Sequence, residues 1–171
     1  MPGLAESFSA QVRRQPDAQA LIWRGTQVSY GELGEMAGRA ATRLSDLGLA
    51  EHEPVGILAA KSPAAVAMIA ACLLTGRRFL LPSPTSATAA LHDLFTRAGC
   101  RHVLSPEAAA TLQVAPVRGE GAEPAPGPEC PPGTSFMLTT SGSTGTPKIV
   151  PLSTGAVDRF TDWAAGRFGI R

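Results

Sequence analysis

A run of twelve residues that is apolar on every side limits this chain more than any other feature. In "KSPAAVAMIAACLLTG" the apolar stretch covers residues 63–74 with no charged side chain. It is too short to span a bilayer, so it must be a helix covered on more than one side. Its start is marked by Ser62 as N-cap and Pro63 at the first helical position, where the missing N–H costs nothing, and Gly76 closes it. The short runs "PVGIL" before it and "RFLLP" after it are strand-like. A strand, a buried helix and a second strand with short connections point to a parallel pair inside a covered sheet.

The neighbouring segments extend the pattern. Ser29 and Glu32 have capping-box spacing, with Val28 and Leu33 placed to staple the same helix end. Tyr30, Leu33, Ala37, Ala40, Ala41 and Leu44 follow as one stripe, and Gly48 ends the helix. Ahead of it, "ALIWRGTQVSY" reads as two short strands around Arg24-Gly25, a hairpin. Residues 88–98 form a helix with Leu91, Leu94, Phe95 and Ala98 on one face, and "RHVLS" follows as a strand. The expected fold class is α/β: a parallel or mixed sheet with helices on both faces.

Residues 116–133 break the pattern. More than half of them are proline or glycine, which suits a solvated connection. "TSFMLTT" then resumes as a strand, "KIVPLS" as another extended run, and residues 154–168 as a helix with Val157, Phe160, Ala164 and Phe168 on one stripe. The expected division is therefore residues 1–115 as an N-terminal α/β subdomain, 116–133 as the connection, and 134–171 as the start of a further part.

Composition narrows the function classes. A net charge of +1 with 5% aromatic residues gives no electrostatic reason for a nucleic acid or an anionic membrane as partner. Cys72, Cys100 and Cys130 are odd in number and widely spaced, which is neither a disulfide framework nor a zinc pattern and suits a reducing cytoplasm. His52, His92 and His102 are scattered without ligand spacing, so no metal site is expected. Arg77 and Arg78 read as surface residues.

Between the last two extended runs stands "TTSGSTGTPK", residues 139–148. Its glycines let backbone N–H groups converge on anionic oxygens, its hydroxyls add donors, and Lys148 brings a mobile positive charge. That is the chemistry of a polyphosphate site. The P-loop NTPase pattern does not fit, because Pro147 stands where its second glycine belongs and Ile149 where its metal-binding hydroxyl belongs. A plain flexible tip is the other reading of the composition alone.

"LTTSGSTGTPKIV" resembles the phosphate-loop signature of the adenylate-forming enzymes, the superfamily of acyl-CoA synthetases, luciferases and peptide-synthetase adenylation domains. Thr140, Ser141, Gly142, Ser143, Thr144, Gly145, Pro147 and Lys148 match T-S-G-S/T-T-G-x-P-K-G in register. "QPDAQALIWRGTQVSYGEL" resembles the family's opening and "LLTGRRFLLPSP" its A-G-x-x-Y-V-P block; "VDRFTDWAAGRFGI" looks most like the peptide-synthetase branch. The resemblance implies an incomplete N-terminal subdomain of an adenylating ligase that uses ATP and Mg2+ to activate a carboxylic acid as acyl-AMP. An amino acid is the implied substrate, and a phosphopantetheinyl carrier-protein thiol is the implied acceptor. Thr140, Ser141, Gly142, Ser143, Thr144, Gly145 and Lys148 would then hold the β- and γ-phosphates.

Two departures stand out. Ile149 replaces the signature's final glycine, and Thr154 stands near where a histidine often occurs. The adenine, ribose, acyl and catalytic-lysine motifs of the family have no counterpart in these residues, so the missing C-terminal part of the domain is an expected partner. The chain alone is expected to be inactive, with no catalytic residue of its own. The alternative is a non-catalytic remnant, or an interaction subunit completed by a second chain.

Overall fold

A computed structural model describes residues 3–83, 88–106, 112–116, 127–140 and 147–169. In chain order they form α1 (Leu4–Arg14), β1 (Gln19–Trp23), β2 (Thr26–Ser29), α2 (Tyr30–Asp46), β3 (Val55–Ile57), α3 (Pro63–Leu74) and β4 (Phe79–Leu81). Then come α4 (Thr88–Arg97), β5 (His102–Pro106), β6 (Leu112–Pro116), β7 (Thr134–Thr140), β8 (Lys148–Ser153) and α5 (Thr154–Phe168).

The main sheet has six strands in the order β6-β5-β3-β4-β7-β8. The pairs β3–β4, β3–β5 and β4–β7 are parallel, and the outer pairs β5–β6 and β7–β8 are antiparallel. The mixed sheet expected from the alternation of strands and helices is present, with β7 joining it beside β4.

Strand side chains alternate between faces, and the two apolar clusters follow that alternation. Val55, Ile57, Phe79 and Leu104 point to one face, where they pack with Ala40 and Leu44 of α2 and Met68, Ala71 and Cys72 of α3. Leu80, Val103 and Met137 point to the other, against Leu91, Leu94 and Phe95 of α4. Helices therefore cover both faces. Gly56 sits between them: a Cβ built there would lie 2.4 Å from Cε1 of Phe95, so α4 approaches β3 more closely than any side chain would allow.

The helix starts behave as their sequences require. Ser29 Oγ accepts from Glu32 N at 3.1 Å and Glu32 Oε2 accepts from Ser29 N at 2.8 Å, completing the capping box. Val28 packs beside Leu33 in a third cluster with Ala37, Ala67 and Ala70. Ser62 Oγ accepts from Ala65 N at 3.2 Å, with Pro63 as the first helical residue. β1 and β2 form the expected hairpin, with positive φ at both Arg24 (51°) and Gly25 (81°), as a tight two-residue turn demands.

Two elements, α1 and β6, are additional to the sequence reading. α5 has the expected bounds and buries no residue: Phe160, Trp163 and Phe168 are 62%, 57% and 67% exposed, and their rings meet in series, Phe160 tilted against Trp163 and Trp163 edge-to-face with Phe168.

Candidate phosphate-binding site

β7 and β8 run antiparallel from Thr134↔Ser153 to Thr140↔Lys148, so the Thr140–Lys148 pair brackets the loop sequence on adjacent strands. Directly opposed residues share a face with Cβ atoms about 5 Å apart. The Thr140 hydroxyl and the Lys148 ammonium thus flank the loop from the same side, and both are exposed. Ser141, Gly142, Ser143, Thr144 and Gly145 lie outside the described residues. Of the site residues expected from the sequence, the structure brings Thr140 and Lys148 together and describes no other.

The fold gives this position chemical meaning. The crossover after β3 covers one face with α3, and the crossover after β4 covers the other with α4. Where consecutive crossovers leave on opposite faces, a crevice opens at the carboxyl ends of the strands, and open α/β sheets bind ligands there. β7 is the parallel neighbour of β4, and its carboxyl end launches the loop.

The donor set fits an anion. Thr140 offers a hydroxyl and Lys148 a cation, and the ion pairs among the described residues do not include Lys148. Among the described residues no group of three His, Cys, Asp or Glu side chains could hold a metal ion.

At the opposite end of the sheet the polar residues do structural work. Glu53 is 8% exposed; its Oε2 accepts from Arg101 Nη1 and from Ala50 N, both at 3.4 Å. Arg77 is not the free surface residue its sequence suggests. Its Nη1 donates to the carbonyls of Ala50 and Glu53, fastening the loop before β3. A cavity of about 410 Å3 lined by His52, Glu53, Arg78, Cys130 and Met137 opens at this end. Burial, helped by Arg101, lowers the His102 pKa from 6.5, with Glu53 opposing. Burial raises the thiols of Cys72 and Cys100 to about 12.

Arg97, which sequence reasoning passed over, reaches the loop from α4. Its Nη1 and Nη2 donate to the carbonyl of Pro147 at 3.3 and 3.2 Å, and its Nε to Asp93 Oδ2 at 2.8 Å. A charged residue at the last position of a helix was the only signal available.

Comparison with known proteins bears on most of the chain. The family model described as AMP-binding enzyme matches residues 8–168. This chain belongs to the AMP-binding enzyme family. It is 34% identical over 174 residues to nonribosomal peptide synthetase 8 of Aspergillus fumigatus, covering 90% of this chain and 2% of that protein. It is 25% identical to the D-alanine–D-alanyl carrier protein ligase of Bacillus licheniformis, covering 98% of this chain and 36% of the ligase. The solved structure of the o-succinylbenzoate coenzyme A synthetase of Bacillus subtilis in complex with AMP superposes with a TM-score of 0.75 at 22% identity, over 99% of this chain and 47% of that one. The shared fold is the N-terminal part of an adenylation domain, and the chain spans a small to moderate share of each of these proteins.

Proposed function

We propose that this chain is the part of an adenylating ligase that grips the triphosphate of ATP. The ligase activates a carboxylic acid, an amino acid, as acyl-AMP and passes it to a carrier-protein thiol in the cytoplasm. One observation carries this reading: the Thr140–Lys148 pair sets a Ser/Thr/Gly-rich loop at the carboxyl end of a parallel sheet. The membership in the AMP-binding family supports it, as does the resemblance to a peptide synthetase and a carrier-protein ligase.

In this reading Thr140, Ser141, Gly142, Ser143, Thr144, Gly145 and Lys148 hold the β- and γ-phosphates. Their hydroxyls, amides and ammonium stabilise the charge that gathers on pyrophosphate as it leaves. Magnesium accompanies the nucleotide and offsets phosphate charge. Residues 1–115 form the scaffold, 116–133 connect, and 134–171 begin the part that continues into the adenine, ribose and acyl sites. Those sites belong to further polypeptide, which is the first partner. The exposed aromatic row of α5 supports a surface completed in this way, whether in the same chain or by a second one. No helix among the described residues is long and apolar enough to cross a membrane.

The test is amino-acid-dependent exchange of labelled pyrophosphate into ATP, run on this chain alone and joined to the rest of an adenylation domain. The chain alone should show no exchange, because holding the carboxylate in line with the α-phosphorus supplies roughly 7–11 kcal/mol. In the completed domain, Lys148→Ala should slow exchange by about 10²–10³ with amino-acid preference unchanged. Exchange by the isolated chain, or full activity of that variant, overturns the proposal.

A further inference from the structure

Two contacts outside the loop's hydroxyls and glycines tie its exit to α4. The first is the Arg97 fork described above: Nε is committed to Asp93, and both terminal nitrogens converge on the Pro147 carbonyl. The second is Ile149, which stands where the signature has glycine. Its side chain packs against the cluster that holds Leu91, Leu94 and Phe95 of α4. Because strand side chains alternate, Ile149 facing α4 turns Lys148 to the opposite, exposed face. α4 is itself a fixed platform, since Phe95 is seated over the bare backbone of Gly56.

We infer that Arg97 is a positioning residue for the loop. It clamps the Pro147 carbonyl to α4 and so fixes the point from which Lys148 reaches an anion. Three of its five N–H donors are engaged by Asp93 and the Pro147 carbonyl. Arginine suits the task through its planar fork. A lysine has a single nitrogen, which cannot keep the Asp93 bond and a two-pronged grip on the carbonyl together. The inference rests on the loop being a polyphosphate site.

The test is calorimetric titration of the 171-residue chain with magnesium tripolyphosphate. Wild type is compared with Lys148→Ala, Arg97→Ala and Arg97→Lys, and the melting midpoint of each protein is recorded alongside. Arg97→Ala and Arg97→Lys should each weaken binding about fivefold, the equivalent of about one hydrogen bond, without loss of fold. Where the alanine variant unfolds, the lysine variant decides. Trypsin should also cut after Lys148 faster in both Arg97 variants and in Ile149→Gly than in wild type. Wild-type affinity and wild-type cleavage in the Arg97 variants, with Lys148→Ala weakened, overturn the role of Arg97 and leave the loop reading intact. Wild type binding no tighter than Lys148→Ala overturns the loop reading, and the positioning role falls with it.

Discussion

The carboxylate of Asp158 accepts a hydrogen bond at 3.0 Å from the backbone N–H of Leu4, 154 positions earlier in the chain. α1 begins after Gly3, which has no side chain to cap it, so α5 lends the missing acceptor. A negative charge at a helix N-terminus also meets the positive end of the helix dipole. Asp158→Ala should destabilise the chain by about 0.5–2 kcal/mol, and Asp158→Asn, which can still accept, by less. Urea unfolding of the three proteins measures this; equal midpoints would refute the cap.

At Gly56 the absent side chain makes room for Phe95. Gly56→Ala places a Cβ 2.4 Å from the ring, inside a cluster where the ring has nowhere to go. Overpacking of this kind costs about 1–3 kcal/mol. Shrinking the neighbour in Gly56→Ala/Phe95→Leu should recover part of the loss. A double variant as unstable as the sum of its singles would separate the two sites.

Thiol reactivity should divide the cysteines. Cys72 and Cys100 are 0% and 2% exposed with thiols raised to about 12, so they are neither accessible nor ionised in mildly alkaline buffer. Cys130 is half-buried at the edge of the α4 cluster. Ellman's reagent should titrate Cys130 first in the folded protein and all three thiols after denaturation. Rapid loss of the Cys72 thiol without unfolding would contradict the packing of α3.

His102 makes stability depend on pH. Burial and Arg101 lower its pKa in the folded state below the ordinary 6.5. Just below 6.5 the unfolded chain therefore binds more protons than the folded one. Stability is complete above 6.5 and declines as pH falls through 6.5 toward the folded value. Denaturation midpoints over a pH series should show this decline, and His102→Gln should flatten it. The same slope in both proteins would assign the effect to other groups.

Local signals carried much of the fold. The capping box of Ser29 and Glu32, the Ser62-Pro63 start and the Arg24-Gly25 turn each act within a few residues, and each stands where its sequence places it. α1 was harder because its cap is borrowed from Asp158, although Leu4, Phe8 and Val12 recur at helical spacing. β6 pairs antiparallel with β5 at the start of the proline-rich stretch and has no alternation strong enough to mark it. The stripe of α5 was visible in sequence, but an apolar stripe states only that a surface wants cover. At the site, the loop signature was legible residue by residue. The Arg97 clamp was not, because 50 positions separate its partners and only the folded sheet joins them.

Both flanks of the six-stranded sheet end in an antiparallel strand that carries a proline, Pro116 in β6 and Pro151 in β8. A proline lacks the N–H that an incoming strand would need, so each flank is a poor template for growth by strand addition. Whatever adheres to this protein should do so by covering rings rather than by extending a ladder. The adhesive surface is then the outer face of α5, a row of three aromatic side chains waiting for a lid.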